Sequence, residues 1–488
     1  MRLEDLGLAD ESLRRSQCLI NGKWVGGAQH WVNDPATTKP VGYVPHMGGP
    51  EARAAIDAAY AAFPAWAAKT AKERSVILRA WFNLIMANQE DLARILTAEQ
   101  GKPLAEARGE IAYAASFVEF YAEEAKRVMG ETIPSPKADA RIMVLRQPLG
   151  VVAAITPWNF PAAMITRKVA PALAVGCTVI CKPAPETPLT ALALADLANR
   201  AGFPPGVLNV ITGDAVGIGN VWCASPLVRG LSFTGSTEVG KLLMRQCADT
   251  VKKLGLELGG NAAFIVFDDA DIDAAVEGAM ASKFRNMGQT CVCANRIFVQ
   301  ANVHDAFVEK FVAAVAKLKV GPGTKDGVTQ GPLINLGAVH KVEAHIADAL
   351  AKGAKIEIGG TVTKKKSAFF APTVLTGATM DMTLAQEETF GPLAPIFKFE
   401  TEAEVIAKAN DTPFGLAAYF YARDLGRVFR VAEALEAGIV AVNAGAASNE
   451  LAPFGGVKQS GLGREGSHHG LDEYLEIKYV YLGGLAEN

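Results

Sequence analysis

Long runs of like charge are missing from this sequence. Charged residues make up only 20% of it, and the formal net charge is -3. Without a basic patch nothing neutralises phosphates, which excludes a nucleic-acid or anionic-membrane partner on electrostatic grounds. The seven cysteines include no CxxC pair, and the histidines show no ligand spacing. His468 and His469 are adjacent and read as surface residues, so no structural metal is expected. An odd, irregular set of thiols excludes a disulfide framework and reads as reduced, which predicts a cytoplasmic location. No secretory leader is expected either, because Met1 to Asp10 is acidic and polar where an apolar core is required. The longest uncharged stretch, Gln147 to Thr166, carries Pro148, Pro157, Asn159 and Pro161. A lipid-exposed helix would leave backbone groups unpaired there. The stretch reads as a buried strand followed by a working loop.

What is present suits a compact enzyme. The 488 residues, half of them hydrophobic, allow about two to four domains with large cores. From Pro50 to Arg127 the chain is Ala-rich with helical spacing (Ala54, Ile56, Ala58; then Ile77, Leu78, Trp81, Phe82, Ile85). Arg141 to Arg146 reads as an extended arm. From Val151 short apolar runs alternate with helices. Strands are predicted at 150–155, 177–181, 207–211 and 231–233, with helices at 165–174, 189–201 and from Thr237. That alternation implies parallel βαβ units and an open α/β sheet. A second alternation begins near Ala262 and runs to about Pro453, with a helix over 303–318. The segment from Leu471 to Tyr481 reads as an interface strand. No internal repeat or low-complexity tract is visible.

Four short segments carry chemistry. Leu231 to Lys241 holds a strand, the turn Gly235-Ser236 and a helix start through Gly240, and backbone N–H groups there suit a diphosphate. Leu242 replaces the hydroxyl of a Walker loop and no GxGxxG is present, so a phosphate site and a structural turn remain level readings. Asn286 to Cys293 places Cys291 on a glycine-flanked loop, where a thiol becomes accessible. A lone buried cysteine is by default inert. Glu257 ends Leu256-Glu257-Leu258-Gly259-Gly260, and an apolar setting disfavours its charged form and brings it toward a useful base. Its bland alternative is a solvated strand-end acid. Thr156 to Pro161 sets the Asn159 amide between prolines and aromatics after a strand, as an oxyanion donor would be.

In this order these motifs resemble the aldehyde dehydrogenase superfamily. They are PWNFP at Pro157, KPAPETP at Lys182, FTGSTEVG at Phe233, ELGG at Glu257 and GQTC at Gly288. EETFGP at Glu387 and PFGGVKQSGLGREG at Pro453 complete a match across nearly the whole chain. The resemblance implies an α/β fold with a Rossmann-type cofactor domain (1–130 and 149–256), a catalytic domain (257–455) and a β oligomerisation arm (131–148 and 456–488). It implies NADP or NAD as cofactor, no metal, and a dimer or tetramer. Cys291 then corresponds to the nucleophile, with its N–H and the Asn159 amide holding the oxyanion. Glu257 corresponds to the base that activates water, and Lys168 with Glu465 to a proton relay. Lys182 and Glu388 match ribose-holding positions, and Phe390 packs near the nicotinamide. Trp158, Pro183, Ala184, Pro185, Gly235, Ser236, Gly240 and Leu258 match the cofactor cleft.

Within the superfamily the chain resembles the succinate-semialdehyde dehydrogenases. The resembling stretches include Met164 to Lys168, Ser282 to Asn286, Cys291 to Arg296, Ala417 to Arg423 and Tyr474 to Lys478. The resemblance implies that Arg167, Arg285 and Ser448 bind a distal carboxylate, which agrees with charge-assisted guanidinium contacts. Two departures stand out. Small alanines precede Ser448, which predicts room for a longer acid such as glutarate semialdehyde. Pro185 replaces a ribose-binding Glu of NAD-preferring relatives, which favours a 2′-phosphate, although Glu186 is adjacent. Cys293 is either a small loop residue or, as the resemblance implies for some relatives, a disulfide partner of Cys291. A silent structural protein and a CoA-using acyltransferase are the competing classes. The full set Cys291, Glu257, Asn159 and Lys182 counts against the first, and Glu257 as a water-activating base against the second.

Overall fold

The computed structural model describes residues 5–364 and 367–485. The Ala-rich region forms four helices, Gly49–Ala67, Ala71–Ala87, Gln89–Gln100 and Leu104–Glu124. The second starts at a capping box, where Thr70 Oγ1 accepts from Glu73 N and Glu73 Oε2 accepts from Thr70 N at 2.7 Å. Such a cap contributes about 1 kcal/mol. The buried stripe of the first helix is Ala52, Ala55, Ile56 and Ala59, whereas Ala54 is exposed. The core face therefore follows i, i+3, i+4 spacing and not the i, i+2 pairs read from the sequence. Helix Leu104–Glu124 buries Ala107, Glu110, Ile111, Ala114, Phe117 and Val118, and it packs on the wholly buried helix Ala163–Val175.

An eight-stranded sheet holds, side by side, the parallel strands Leu208–Val210, Thr178–Lys182, Val151–Ile155, Val228–Thr234 and Lys253–Glu257. Its registers align Ile155 with Lys182 and with Phe233, and Thr234 with Glu257. The carboxyl ends of four neighbouring strands thus meet in one row. A seven-stranded sheet is built around Ala262–Val266, Ala294–Gln300, Leu393–Phe399 and Ala417–Tyr421, also parallel to one another. Both sheets fit the α/β class read from the sequence, with strand and helix ends moved by no more than three residues.

The terminal residues take part in two sheets. Gly461–Leu462 adds antiparallel to Lys253–Glu257 at the edge of the eight-stranded sheet. The segment beginning at Leu471 is helical up to Tyr474, and the strand runs Leu475–Leu482. It pairs with the long arm Arg141–Pro148, which also pairs with Glu131–Ile133. No helix of the described residues is long and apolar enough to cross a membrane.

Candidate active site

The site lies where the two sheets face each other. Trp158 and Asn159, Lys182, Gly235 and Ser236, and Glu257 follow or end strands of the first sheet. Cys291 and Glu388 with Phe390 precede strands Ala294–Gln300 and Leu393–Phe399 of the second. The thiol therefore sits at an amino end, the reverse of the rule that places ligands at carboxyl ends.

Backbone strain shapes the thiol loop. Asn286, Met287 and Gly288 are consecutive left-handed residues, with φ of 50, 60 and 72°. A Cβ on Gly288 would lie 2.3 Å from the Gly391 carbonyl, so glycine is required there. Left-handed non-glycine residues cost on the order of 1 kcal/mol each and persist only when their surroundings hold them. Asn286 Nδ2 donates to Asn159 O at 3.0 Å and to Gln289 O at 3.2 Å. Gln100 Nε2 donates to Asn286 Oδ1 at 3.0 Å, and Asn286 N donates to Glu106 Oε2 at 2.9 Å. Lys102 reaches the same place, donating to Asn159 O at 2.8 Å while it pairs with buried Glu110. Loop and amide are thereby locked together.

Cys291 lines two cavities. The larger, about 270 Å³, is bounded by Trp158, Asn159, Thr234, Gly235, Ser236, Leu258, Gly259, Lys341, Glu388 and Phe390. Trp158 and Phe390 meet edge to face at 5.5 Å, and Phe390 adopts φ 54° to do so. Ser236 caps the helix Thr237–Cys247, accepting from Val239 N. The Thr234 hydroxyl is buried without a partner among the described residues. An aromatic wall, a capped helix N-terminus and an orphaned hydroxyl suit a dinucleotide. Glu388 accepts from Gly260 N at 3.0 Å, and burial pushes its carboxyl up to about 7.

The second cavity is a narrow tunnel lined by Tyr113, Phe160, Met164, Arg167, Arg285, Thr290, Val292, Ser448 and Phe454. The three residues expected to hold a carboxylate are thus brought together beside the thiol. Arg167 is also bound elsewhere: its Nη2 lies 2.7 Å from Glu465 Oε2, and its guanidinium stacks 4.0 Å above Phe454. Arg285 stacks 4.7 Å from the Phe160 ring centroid. Lys168 pairs with the other oxygen of Glu465.

Glu257 is buried, and neither carboxyl oxygen has a partner among the described residues. Burial raises its pKa well above the usual carboxylate range, and Glu465 pushes the same way against Arg167, Lys168 and Arg464. Burial likewise pushes the Cys291 thiol up to about 12, with Arg167 opposing. Asn159 Nδ2 donates to Gln289 O at 3.1 Å, so its second N–H remains for a ligand.

Other expected residues stand further back. Lys182 Nζ turns to the Pro183 carbonyl at 3.1 Å, and burial lowers its pKa. Ala184 is buried, whereas Pro185 is exposed and lines a separate cavity with Trp31 and Glu186. Gly240 serves close packing, since a Cβ there would sit 2.4 Å from the Leu258 side chain. Of residues 443–448 only Ser448 lines the tunnel, while Ala444 and Ala447 pack against the core of the second sheet. Cys293 is buried and donates to the Lys283 carbonyl, and both thiols are free. Sequence reasoning missed Tyr113, Lys341, Thr234 and the Gln100–Glu110 group. One signal was available: Glu106, Glu110, Tyr113 and Phe117 fall at 4, 3, 4 spacing on one helix face, polar groups within an apolar stripe.

Known proteins are similar to this chain over nearly its whole length. The succinate-semialdehyde dehydrogenase (NADP+) of Escherichia coli is 63% identical, covering 98% of this chain and 99% of its own length. The glutarate-semialdehyde dehydrogenase of Pseudomonas aeruginosa is 61% identical, covering 98% and 100%. The crystal structure of succinate-semialdehyde dehydrogenase from Burkholderia pseudomallei superimposes with a TM-score of 0.97 at 63% identity, covering 98% of this chain and all of its own. The profile of the aldehyde dehydrogenase family matches residues 24–480, and the chain belongs to that family.

Proposed function

We propose that this enzyme oxidises succinate semialdehyde to succinate with NADP, through a thioester on Cys291. One observation carries the reading. Cys291 lies at the junction of the aromatic-walled cleft and the tunnel that holds Arg167, Arg285 and Ser448. An aldehyde carbonyl at the thiol then places a short acid's carboxylate among cationic and hydroxyl donors. The NADP-using relative of Escherichia coli supports NADP over NAD.

The chain's residues act in sequence. A thiol held near 12 is neutral at rest, so it needs a base; Glu257, with both oxygens unpartnered and a raised pKa, accepts its proton. Sulfur adds to the carbonyl carbon, and the oxygen that gains charge meets the free Asn159 N–H and the Cys291 N–H. Bound NADP supplies the hydride acceptor that turns this adduct into a thioester; Glu388, Lys182, Trp158 and Phe390 would hold it. Glu257 first hands the thiol proton to the Lys168–Glu465 pair beside it, then takes a proton from water, which attacks the thioester carbonyl. The sulfur leaves as the acid is released. The Lys168–Glu465 pair beside Glu257 passes that proton outward.

Glutarate semialdehyde is the second reading, favoured by the Pseudomonas relative. We assign residues 1–130 and 149–256 to cofactor binding, 257–455 to catalysis, and 131–148 with 456–488 to subunit joining. Ile477 and Tyr479, 71 and 72% exposed on the outer strand, support a dimer or tetramer. Seven free thiols support a cytoplasmic location. The test is kcat/KM for succinate semialdehyde, glutarate semialdehyde, hexanal and benzaldehyde with each cofactor. A clear preference for the acids supports the reading, and equal rates with hexanal refute the role of Arg167 and Arg285.

A further inference from the structure

Tyr113 stands on helix Leu104–Glu124 and lines the tunnel with Arg285, Arg167 and Ser448. Its hydroxyl is shielded from solvent and has no hydrogen-bond partner among the described residues. Buried hydroxyls are ordinarily satisfied, so an orphan on a residue that lines the tunnel is unusual. The ring is not free to search for a partner, because Phe117 meets it edge to face at 5.0 Å. Burial raises the phenol pKa, which keeps the proton on and the hydroxyl a donor. Arg167, meanwhile, shares its charge with Glu465 at 2.7 Å. An entering anion therefore finds one of its two guanidinium groups already partly neutralised.

We propose that Tyr113 determines specificity by donating a hydrogen bond to the substrate's distal carboxylate, in a donor set with Arg285 and Ser448. This inference rests on the reading of the substrate as an aldehyde with a carboxylate at its far end. A rigid, desolvated donor favours an anionic oxygen over a methyl group, since the apolar analogue leaves the hydroxyl unpaired. No bond is made or broken in the step. Tyr113 acts on binding, and the thiol chemistry is unaltered.

The test compares wild type with Tyr113→Phe, which keeps the ring and its packing on Phe117. The discrimination ratio is kcat/KM for succinate semialdehyde divided by kcat/KM for butanal, both with NADP. A charge-assisted hydrogen bond predicts that this ratio falls by about 10- to 100-fold in the variant. Competitive inhibition by succinate should weaken by a similar factor. If wild type discriminates and Tyr113→Phe discriminates equally, or if both substrates lose the same factor, the inference is overturned and the substrate reading stands. If wild type itself shows no preference for the acid, the substrate reading fails, and this inference fails with it.

Discussion

Replacing Lys102 by methionine probes the polar layer beneath the thiol loop. Lys102 Nζ lies 2.5 Å from Glu110 Oε2 and 2.8 Å from Asn159 O, and it sits 3.9 Å above the Phe160 ring. Lysine and glutamate are both buried. Removing one partner of such a pair costs roughly 3–5 kcal/mol, because the other charge stays behind. Here Glu110 keeps the N–H groups of Ala162 at 2.9 Å and Ala163 at 3.3 Å, at the start of helix Ala163–Val175. That helix end favours an anion, which places the loss near the lower limit, about 3 kcal/mol. Lys102→Met with Glu110→Gln removes the stranded charge and should recover about 2 kcal/mol of it. Asn159 O retains Asn286 Nδ2 at 3.0 Å, so the oxyanion donor is loosened but not lost. A fall in kcat on the order of tenfold is expected from its misplacement. Urea unfolding followed by tryptophan fluorescence gives the stabilities, and steady-state assays give kcat. A single variant within about 1 kcal/mol of wild type, or a double variant less stable than the single, refutes the reasoning.

Glu257→Gln should lower kcat by about 10²- to 10⁴-fold through loss of the base. In wild type, whose Glu257 pKa is raised by burial, thioester hydrolysis should speed up as pH rises through that elevated value; stopped-flow absorbance across pH shows whether it does. Glu388, held at about 7, accepts more strongly from ribose hydroxyls when ionised, so KM for NADP should fall as pH rises through 7. Glu388→Gln should flatten that profile. The same upward shift stabilises the ligand-free protein below the usual carboxylate range and is lost as pH rises through about 7. Thermal melts of wild type and Glu388→Gln between pH 5 and 8 should keep a constant difference in Tm if no such linkage exists.

Glycines, prolines and aromatics make the strand ends on the cofactor side legible, although Gly235-Ser236 alone reads equally well as a structural turn. The catalytic sheet is harder to read. Its thiol loop depends on left-handed Asn286 and Met287, and neither residue type announces that conformation without Gln100, Glu106 and Lys102, about 180 residues away in sequence. Tyr113 was hidden by its own helix, where an aromatic at core spacing reads as packing. Arg167 was legible only through the family resemblance, and its pairing with Glu465 was not legible at all, since nearly 300 residues separate them. Two-residue strands such as Gly461–Leu462 are too short to show any period.

The central claim is the thioester on Cys291. It is tested by mixing wild-type enzyme with NADP and succinate semialdehyde, quenching in acid within the first turnover, and reading the peptides by tandem mass spectrometry. The account predicts reduced cofactor formed in step with a succinyl group on Cys291, neither exceeding one equivalent per active site. Reduced cofactor without an acyl adduct, or an adduct on Cys293 instead, would contradict it.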